Sequence, residues 1–218
     1  LTLISMCFIV LGSLVLDQVT KIVAEKNLMT WQSREDLRSY GGRRVKLLTL
    51  GEEPSYSSYD STPSYLSFSF NYVRNQGAAW GAFSDLKDSI RIPFFYVVTL
   101  LATILVFFYL KTTPSHHSLA RFAFTLILSG AFGNIFDRIR LGYVIDFIDV
   151  RWSIPLPFTI DFSVDFFPSW LDIFNGSIFA TNWQYNFPNF NWADSMITIG
   201  VFCLFVDMIF LEKKRSKE

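Results

Sequence analysis

The stretch IPFFYVVTLLATILVFFYL, from Ile92 to Leu110, runs for 19 residues without a charged side chain and lies between Arg91 and Lys111. A helix needs about 20 predominantly apolar residues to cross the hydrocarbon core of a bilayer. This stretch meets that requirement without help from its neighbours. It therefore predicts a transmembrane helix and places the chain among membrane proteins.

Three further uncharged runs point the same way. They are Leu1–Leu16, Phe122–Phe136 and Ser195–Val206. Each reaches spanning length if the polar residues at its borders lie at the membrane edge, so we expect four spans at residues 2–23, 92–111, 120–138 and 194–211. Two alternatives stay open: the first run as a cleaved signal peptide, and the third and fourth as helices of a buried core.

The composition agrees with a membrane protein and excludes other classes. Hydrophobic residues make up 51% of the 218 residues, charged residues only 17%, and the 19 basic and 19 acidic side chains cancel. A nucleic-acid-binding domain would be basic, so no nucleic-acid partner is expected. The histidines are the adjacent His116 and His117 alone. Because a metal site needs ligands that converge from several directions, we expect no metal and no cofactor.

The basic residues near the span ends give the orientation. Lys111 and Arg121 border the turn between the second and third spans, and four Lys and Arg follow Leu211. Because cytoplasmic loops are enriched in Lys and Arg, we expect this side, with both chain termini, in the cytoplasm. The outer segments 25–91 and 147–192, which together hold all six tryptophans, then lie on the other side of the membrane.

The segment 25–91 carries a strand pattern. Leu66, Phe68, Phe70 and Tyr72 alternate with polar residues, which is the period of a strand with one apolar face. Residues 45–50 are the expected partner strand, and the Gly-, Pro- and Ser-containing residues 51–64 are the expected connection. The pattern predicts a small β-sheet on the outer side.

The segment 147–192 is rich in aromatic residues. In it Val164, Phe167, Leu171 and Phe174 recur at near-helical spacing, which suggests a short helix on the membrane surface, with a packed extramembrane core as the alternative. The expected fold is a single polytopic membrane domain over residues 1–218. It is a membrane all-α bundle of four transmembrane helices with a small extracytoplasmic β-sheet or cradle and a surface-lying aromatic segment.

Polar residues at the span ends converge on the outer face. They are Asp17 and Lys21 after the first span, Asn134, Asp137 and Arg138 at the end of the third, and Asn191 and Asp194 at the start of the fourth. Asp146 follows the third span in an apolar setting at the same depth. Ionisable residues at membrane depth are costly and are functional candidates by default. Helix capping and ion pairing compete as an explanation for any single one of them.

The catalytic groups that this set can supply are two carboxylates. The predicted topology puts the histidines on the opposite face, and Ser129 in the third span has no base that must lie near it. Asp146 can pair with Asp137, with Asp194 or with both. Paired carboxylates cannot both ionise easily, so one acts as base on a water while the other, protonated, polarises a carbonyl, as in aspartic proteases.

Five short motifs, read in order, resemble those of the lipoprotein signal peptidase family, also called signal peptidase II. They are LDQVTK at 16–21, NQGAAWG at 75–81, GNIFDR at 133–138, LGYVIDF at 141–147 and FNWAD at 190–194. Their order and their interleaving with four spans carry the resemblance. Two intervals, Asp17 to Asn75 and Asp146 to Asp194, are longer than the family usually has.

The resemblance implies a membrane-embedded aspartic endopeptidase of the bacterial inner membrane. It would cut the signal peptide from a diacylglyceryl-modified prolipoprotein, just before the lipidated cysteine, as a monomer in contact with membrane lipid. By motif position it selects Asp146 and Asp194 as the catalytic pair and makes Asp137 structural. Its supporting or substrate-orienting positions are Asn75, Gly77, Asn134, Arg138, Asn191, Asp17 and Lys21. The competing function is a non-catalytic four-span transport or assembly protein with a polar ligand site.

Overall fold

The computed structural model describes residues 2–30, 43–51, 65–75, 87–164 and 176–212. Within these ranges the chain forms four long helices and four strands. In chain order they are α1 (Leu3–Leu28), β1 (Val45–Gly51), β2 (Tyr65–Asn75), α2 (Asp88–Thr112), α3 (Ser118–Leu141), β3 (Val144–Val164), β4 (Gly176–Asn186) and α4 (Trp192–Val206). A π-helical segment, Asp207–Glu212, continues α4.

All four helices are long and apolar enough to cross a membrane. The spanning stretches are Leu3–Leu28, Pro93–Thr112, Ser118–Leu141 and Trp192–Leu211. Large apolar side chains of α1, α2 and α4, such as Phe8, Leu101 and Phe202, are exposed, as side chains that face lipid must be. The four predicted spans are confirmed, and α1 extends further than expected, to Leu28.

Helix α3 lies at the centre of the bundle. Twelve of its residues are buried, many more than in α1 or α4. Glycines let α4 approach it closely. A Cβ placed on Gly200 would lie 2.6 Å from Ile127 Cγ1, and one placed on Gly130 would overlap the carbonyl of Ala193. Small residues at such crossings allow the backbone-to-backbone packing on which membrane helices depend.

Local signals at two helix ends place the polar residues. Gly142 ends α3 in the left-handed conformation, with φ of 80°, and its N–H donates to the carbonyl of Arg138 at 2.9 Å. This C-cap suits glycine, and it turns the chain into β3, where Asp146 is the third residue. Asn191 caps α4 in a capping box with Asp194, so both side chains are fixed by the helix start.

The chain forms two compact units. One comprises residues 1–44, 71–148 and 189–218, and the other comprises residues 45–70 and 149–188. Each is assembled from separated stretches of sequence, so neither corresponds to one continuous piece of the chain. The expectation of a single polytopic domain stays a prediction.

The strands form one sheet in the order β1-β2-β3-β4. β1 and β2 are antiparallel, with Leu48 opposite Phe68 and Leu50 opposite Leu66, which confirms the predicted pairing. In this hairpin a polar side chain is buried and an apolar one is exposed, the reverse of a sheet in a water-soluble protein. Ser67 is fully buried, whereas Leu50 is 56% exposed.

The aromatic segment contains two strands that the sequence analysis did not predict. Residues 151–164 and 176–186 pair antiparallel, and Val164, the first residue of the predicted surface helix, is opposite Gly176 as a strand residue. Apart from Val164, the predicted surface helix is not tested and stays a prediction. The other three residues of that pattern, Phe167, Leu171 and Phe174, lie outside the described residues.

Candidate active site

Asp146 is a buried acid at the start of β3, with a side chain 1% exposed. Its Oδ2 accepts a hydrogen bond from Asn75 Nδ2 at 2.9 Å, and its Oδ1 accepts one from Asn191 Nδ2 at 2.7 Å. The donors come from the end of β2 and from the residue that caps α4. Asp146 is therefore held from both sides by amides of distant sequence segments.

Asp194 lies in the first turn of α4, where a carboxylate is favoured by the helix dipole. Its Oδ1 accepts from Asn134 Nδ2 at 2.7 Å, and its Oδ2 accepts from the backbone N–H of Asn191 at 3.2 Å. It is thus a capping residue, as the competing explanation held, and it is also hydrogen-bonded to an asparagine of α3.

Asn191 joins the two acids. Its Oδ1 accepts from the backbone N–H of Asp194 at 3.0 Å, which obliges its amino group to face the other way. That amino group donates to Asp146 Oδ1 at 2.7 Å. One carboxamide therefore contacts both carboxylate residues, and the backbone fixes which of its ends faces which.

Lys21 is fully buried in α1 and lies between two further acids. Its Nζ is 2.9 Å from Asp17 Oδ2 and 2.9 Å from Asp137 Oδ2, and it donates to Asn134 Oδ1 at 3.2 Å. An ammonium group has donors only, so the oxygen of Asn134 must face Lys21 and its amino group must face Asp194. Lys21 thereby sets the orientation of an amide that holds Asp194.

Asp17 and Asp137 fasten neighbouring segments to this cluster. Asp17 Oδ1 accepts from the backbone N–H of Ala193 at 3.0 Å, and Asp137 Oδ2 accepts from that of Ile145 at 3.3 Å. Ala193 and Ile145 each precede one of the two acids, Asp194 and Asp146. The contacts of Asp137 are with Lys21, Gln18 and the backbone N–H of Ile145.

Gln18 is a member of the cluster that the sequence analysis did not single out. Its Nε2 donates to Asp17 Oδ2 at 3.0 Å and to Asp137 Oδ1 at 2.9 Å. Its place between Asp17 and Lys21 in the first motif was the available signal. Gln18 is uncharged, and it links the same two carboxylates with which Lys21 forms ion pairs.

Arg138 is half-buried at the end of α3 and interacts electrostatically with both Asp194 and Asp146. Its Nη1 lies 3.4 Å from the carbonyl of Asn134, and the hydroxyl of Tyr96 in α2 donates to the carbonyl of Arg138 at 2.7 Å. The structure therefore brings together all of the predicted site residues except Gly77, which lies outside the described residues.

Burial raises the pKa of Asp146 well above its ordinary value of 3.8, and the nearby charge of Asp194 raises it further. The hydrogen bonds from Asn75 and Asn191 act in the opposite direction because they stabilise the charged form. Such a pair favours a state in which one proton is shared between two carboxyl groups. Such a pair can supply one base and one acid, which is what addition of water to a carbonyl requires.

A sequence profile of the family described as signal peptidase (SPase) II matches residues 9–210. The chain belongs to the signal peptidase II family. It is a multi-pass membrane protein and an aspartic peptidase of lipoprotein processing. The non-catalytic four-span alternative is not favoured.

Curated relatives and solved structures agree with this membership. The chain is 32% identical to the lipoprotein signal peptidase of Geobacter sulfurreducens over 95% of this chain and 93% of that protein. It is 32% identical to that of Staphylococcus carnosus, over 96% and 92%. The fold resembles a bacterial membrane enzyme solved by the in meso method at 1.9 Å resolution, with a TM-score of 0.57 and 21% identity over 95% of this chain and 94% of that one.

Replacing Lys21 by Met should strongly destabilise this signal peptidase. The variant leaves Asp17 and Asp137 buried with no cation, which costs about 3–5 kcal/mol in such sites. Thermal unfolding of the purified protein in detergent measures the effect. Lys26→Met, at an exposed lysine of the same helix, is the matched control and should unfold like the parent. Equal melting temperatures for the two variants would contradict the role given to Lys21.

The stability of Asp146→Asn relative to the parent should depend on pH. Since the pKa of Asp146 is raised by folding, the parent loses stability as pH rises from 3.8 through the folded-state value. The amide cannot lose that proton, so the variant gains on the parent across this window, and the difference levels off above it. Melting curves at several pH values measure this. Gly12→Ala, which changes no titratable group, should show a constant difference.

Proposed function

We propose that Asp146 and Asp194 are the catalytic aspartates and that the enzyme cuts a prolipoprotein just before its diacylglyceryl-modified cysteine. The observation that supports this most directly is the sharing of Asn191 by two acids in a buried site. Asp137 is the other acid close enough to be considered. Its contacts with Lys21 and the backbone N–H of Ile145 give it a structural role instead.

The mechanism uses one proton held by the pair. The ionised carboxyl removes a proton from a water molecule, whose oxygen attacks the scissile carbonyl carbon, and the protonated carboxyl gives its proton to the carbonyl oxygen. The C–N bond then breaks: the departing nitrogen takes a proton from the pair, and one hydroxyl of the gem-diol returns its proton to the pair as the carbonyl re-forms. The products are a signal peptide with a new carboxyl terminus and a lipoprotein with a free amino group on its lipidated cysteine.

The amides and the arginine are proposed to control this chemistry. Asn134 and Asn191 hold the acids from fixed directions, so little reorganisation is needed as charge develops. Arg138 supplies positive charge near both acids. Asn75 is the third donor, and Gly77, from the same NQGAAWG motif, is proposed to contact the substrate backbone.

The site is proposed to face the outer side of the bacterial inner membrane, with both termini in the cytoplasm. Successive spans cross a bilayer in opposite directions. In the proposed topology, Asp137 and Asp194 therefore lie at one side of the membrane and the turn with His116 lies at the other. A signal helix embedded in lipid would reach such a site without its acyl chains entering water. One chain carries both acids, so a monomer suffices.

Asp146→Asn and Asp194→Asn should each abolish cleavage of a diacylglyceryl-modified prolipoprotein by the purified enzyme. Losing either member removes the acid–base pair, and a loss of at least about 10³-fold in kcat is expected. Gel separation of precursor and product measures it.

Asp207→Asn is the matched control, because Asp207 is a buried aspartate at the opposite end of α4. It should cleave at the parental rate. Asp137→Asn should lower the melting temperature more than the rate. Parental activity in Asp146→Asn or Asp194→Asn would refute the pair.

Accessibility of single cysteines should report the orientation. In a background with Cys7 and Cys203 replaced by Ala, a membrane-impermeant maleimide added to cells stripped of their wall should label Phe187→Cys. It should label His116→Cys after permeabilisation only. Phe187 and His116 are both exposed in the structure. The reverse pattern would overturn the proposed orientation and leave the catalytic pair untouched.

A further inference from the structure

Asn75 holds Asp146 from the last residue of its strand. Its Nδ2 donates to Asp146 Oδ2 at 2.9 Å, and Asn75 is the final residue of β2. A side chain at a strand end is oriented only as well as the residues beside it are held. The preceding residue, Arg74, makes an unusual set of contacts for a surface arginine.

Arg74 contacts three elements at once. Its Nε lies 3.4 Å from Tyr72 Oη, and its Nη2 lies 3.6 Å from Met29 Sδ, just after α1. Its guanidinium is 5.0 Å from the ring centroid of Tyr143, the residue directly before β3. Glu25 of α1 adds an electrostatic attraction. The arginine therefore joins the end of α1, strand β2 and the start of β3.

The tyrosines make this clamp rigid. Tyr72 is fully buried and is hydrogen-bonded to Tyr143 as well as to Arg74. Burial raises the pKa of Tyr72, so its phenol stays neutral. A guanidinium stacks flat on an aromatic ring and keeps its charge when partly desolvated, which an ammonium group does less well.

We propose that Arg74 is a positioning residue that keeps Asn75 aimed at Asp146 by clamping β2 to Tyr143. Tyr143 lies three residues before Asp146, and Arg74 lies next to Asn75. The clamp thus fixes the distance between β2 and the start of β3 close to the hydrogen bond from Asn75 to Asp146. The inference rests on the proposed role of Asp146 in catalysis.

A double-mutant cycle tests whether Arg74 acts through Asn75. Arg74→Met keeps the apolar stem and removes the guanidinium. Its kcat should fall about tenfold to a hundredfold, as small misplacements of catalytic groups do, with KM within about twofold of the parent. Asn75→Ala should show a comparable loss. The double variant should be no slower than Asn75→Ala alone.

Arg140→Met is the matched control. Arg140 is an exposed arginine whose guanidinium lies 6.0 Å from the ring of Phe136, away from β2. It should retain parental kcat. Arg74→Lys keeps the charge and loses the planar guanidinium. Its kcat should lie between that of the parent and that of Arg74→Met.

The pH profile provides a second readout. Asp146 faces Asn75, Asn191, Asp194, Lys21 and, at longer range, Arg138. Of these, Asn75 favours the charged form of Asp146, so loosening it should raise the pKa of Asp146 further. The basic limb of the kcat profile, where the pair loses its shared proton, should then move to higher pH. The shift should be the same in Arg74→Met, in Asn75→Ala and in the double variant.

Several outcomes would overturn the positioning role. They are parental kcat in Arg74→Met, a loss that multiplies with that of Asn75→Ala, or a lower melting temperature with an unchanged pH profile. If Arg74→Met does not fold, Tyr143→Leu removes the ring face and should give the same pattern. Activity in Asp146→Asn, measured alongside, would instead indicate failure of the proposed catalytic pair.

Discussion

The structure depends on one buried ammonium group, that of Lys21. A charge at this depth in a membrane protein is tolerated only when it is paired and hydrogen-bonded. Lys21 achieves this with Asp17 on its own helix and Asp137 on α3, and the remaining donors reach Asn134. The same contacts bring α1 and α3 together, and Asp17 also accepts from the backbone N–H of Ala193 in α4. Satisfying this one charge therefore locates the segments that carry Asp146 and Asp194.

Carboxamides do most of the work of holding the two acids. Amides carry no net charge, so they can be buried beside a carboxylate without a further desolvation cost of the size that a cation would bring. A carboxamide can, however, rotate so that its oxygen and its amino group exchange places. Here Lys21 fixes Asn134, and the helix start at α4 fixes Asn191. The result is a set of donors with defined directions around an otherwise acidic and apolar site.

The sequence predicted the spans and the convergence of their polar ends because both follow from where charge is absent. It left the partner of Asp146 open between Asp137 and Asp194, since topology gives a membrane face and not a hydrogen bond. The resemblance to a family made that choice. Gln18 was missed because the search followed charged residues, and its signal was only its place between Asp17 and Lys21. The β3–β4 hairpin was missed because pairing between distant strands decides it, and local spacing does not.

The spacing of Asp17 and Lys21 has a consequence for the order of synthesis. These residues are one helical turn apart on α1, so this helix, which is synthesised before α2, α3 and α4, carries its own ion pair, and the pair brings no net charge into the bilayer. Asp137 follows more than a hundred residues later, and the backbone donors of Ile145 and Ala193 later still. The extra negative charge is therefore accepted only as the last segments arrive, which makes completion of the site and completion of the bundle one event.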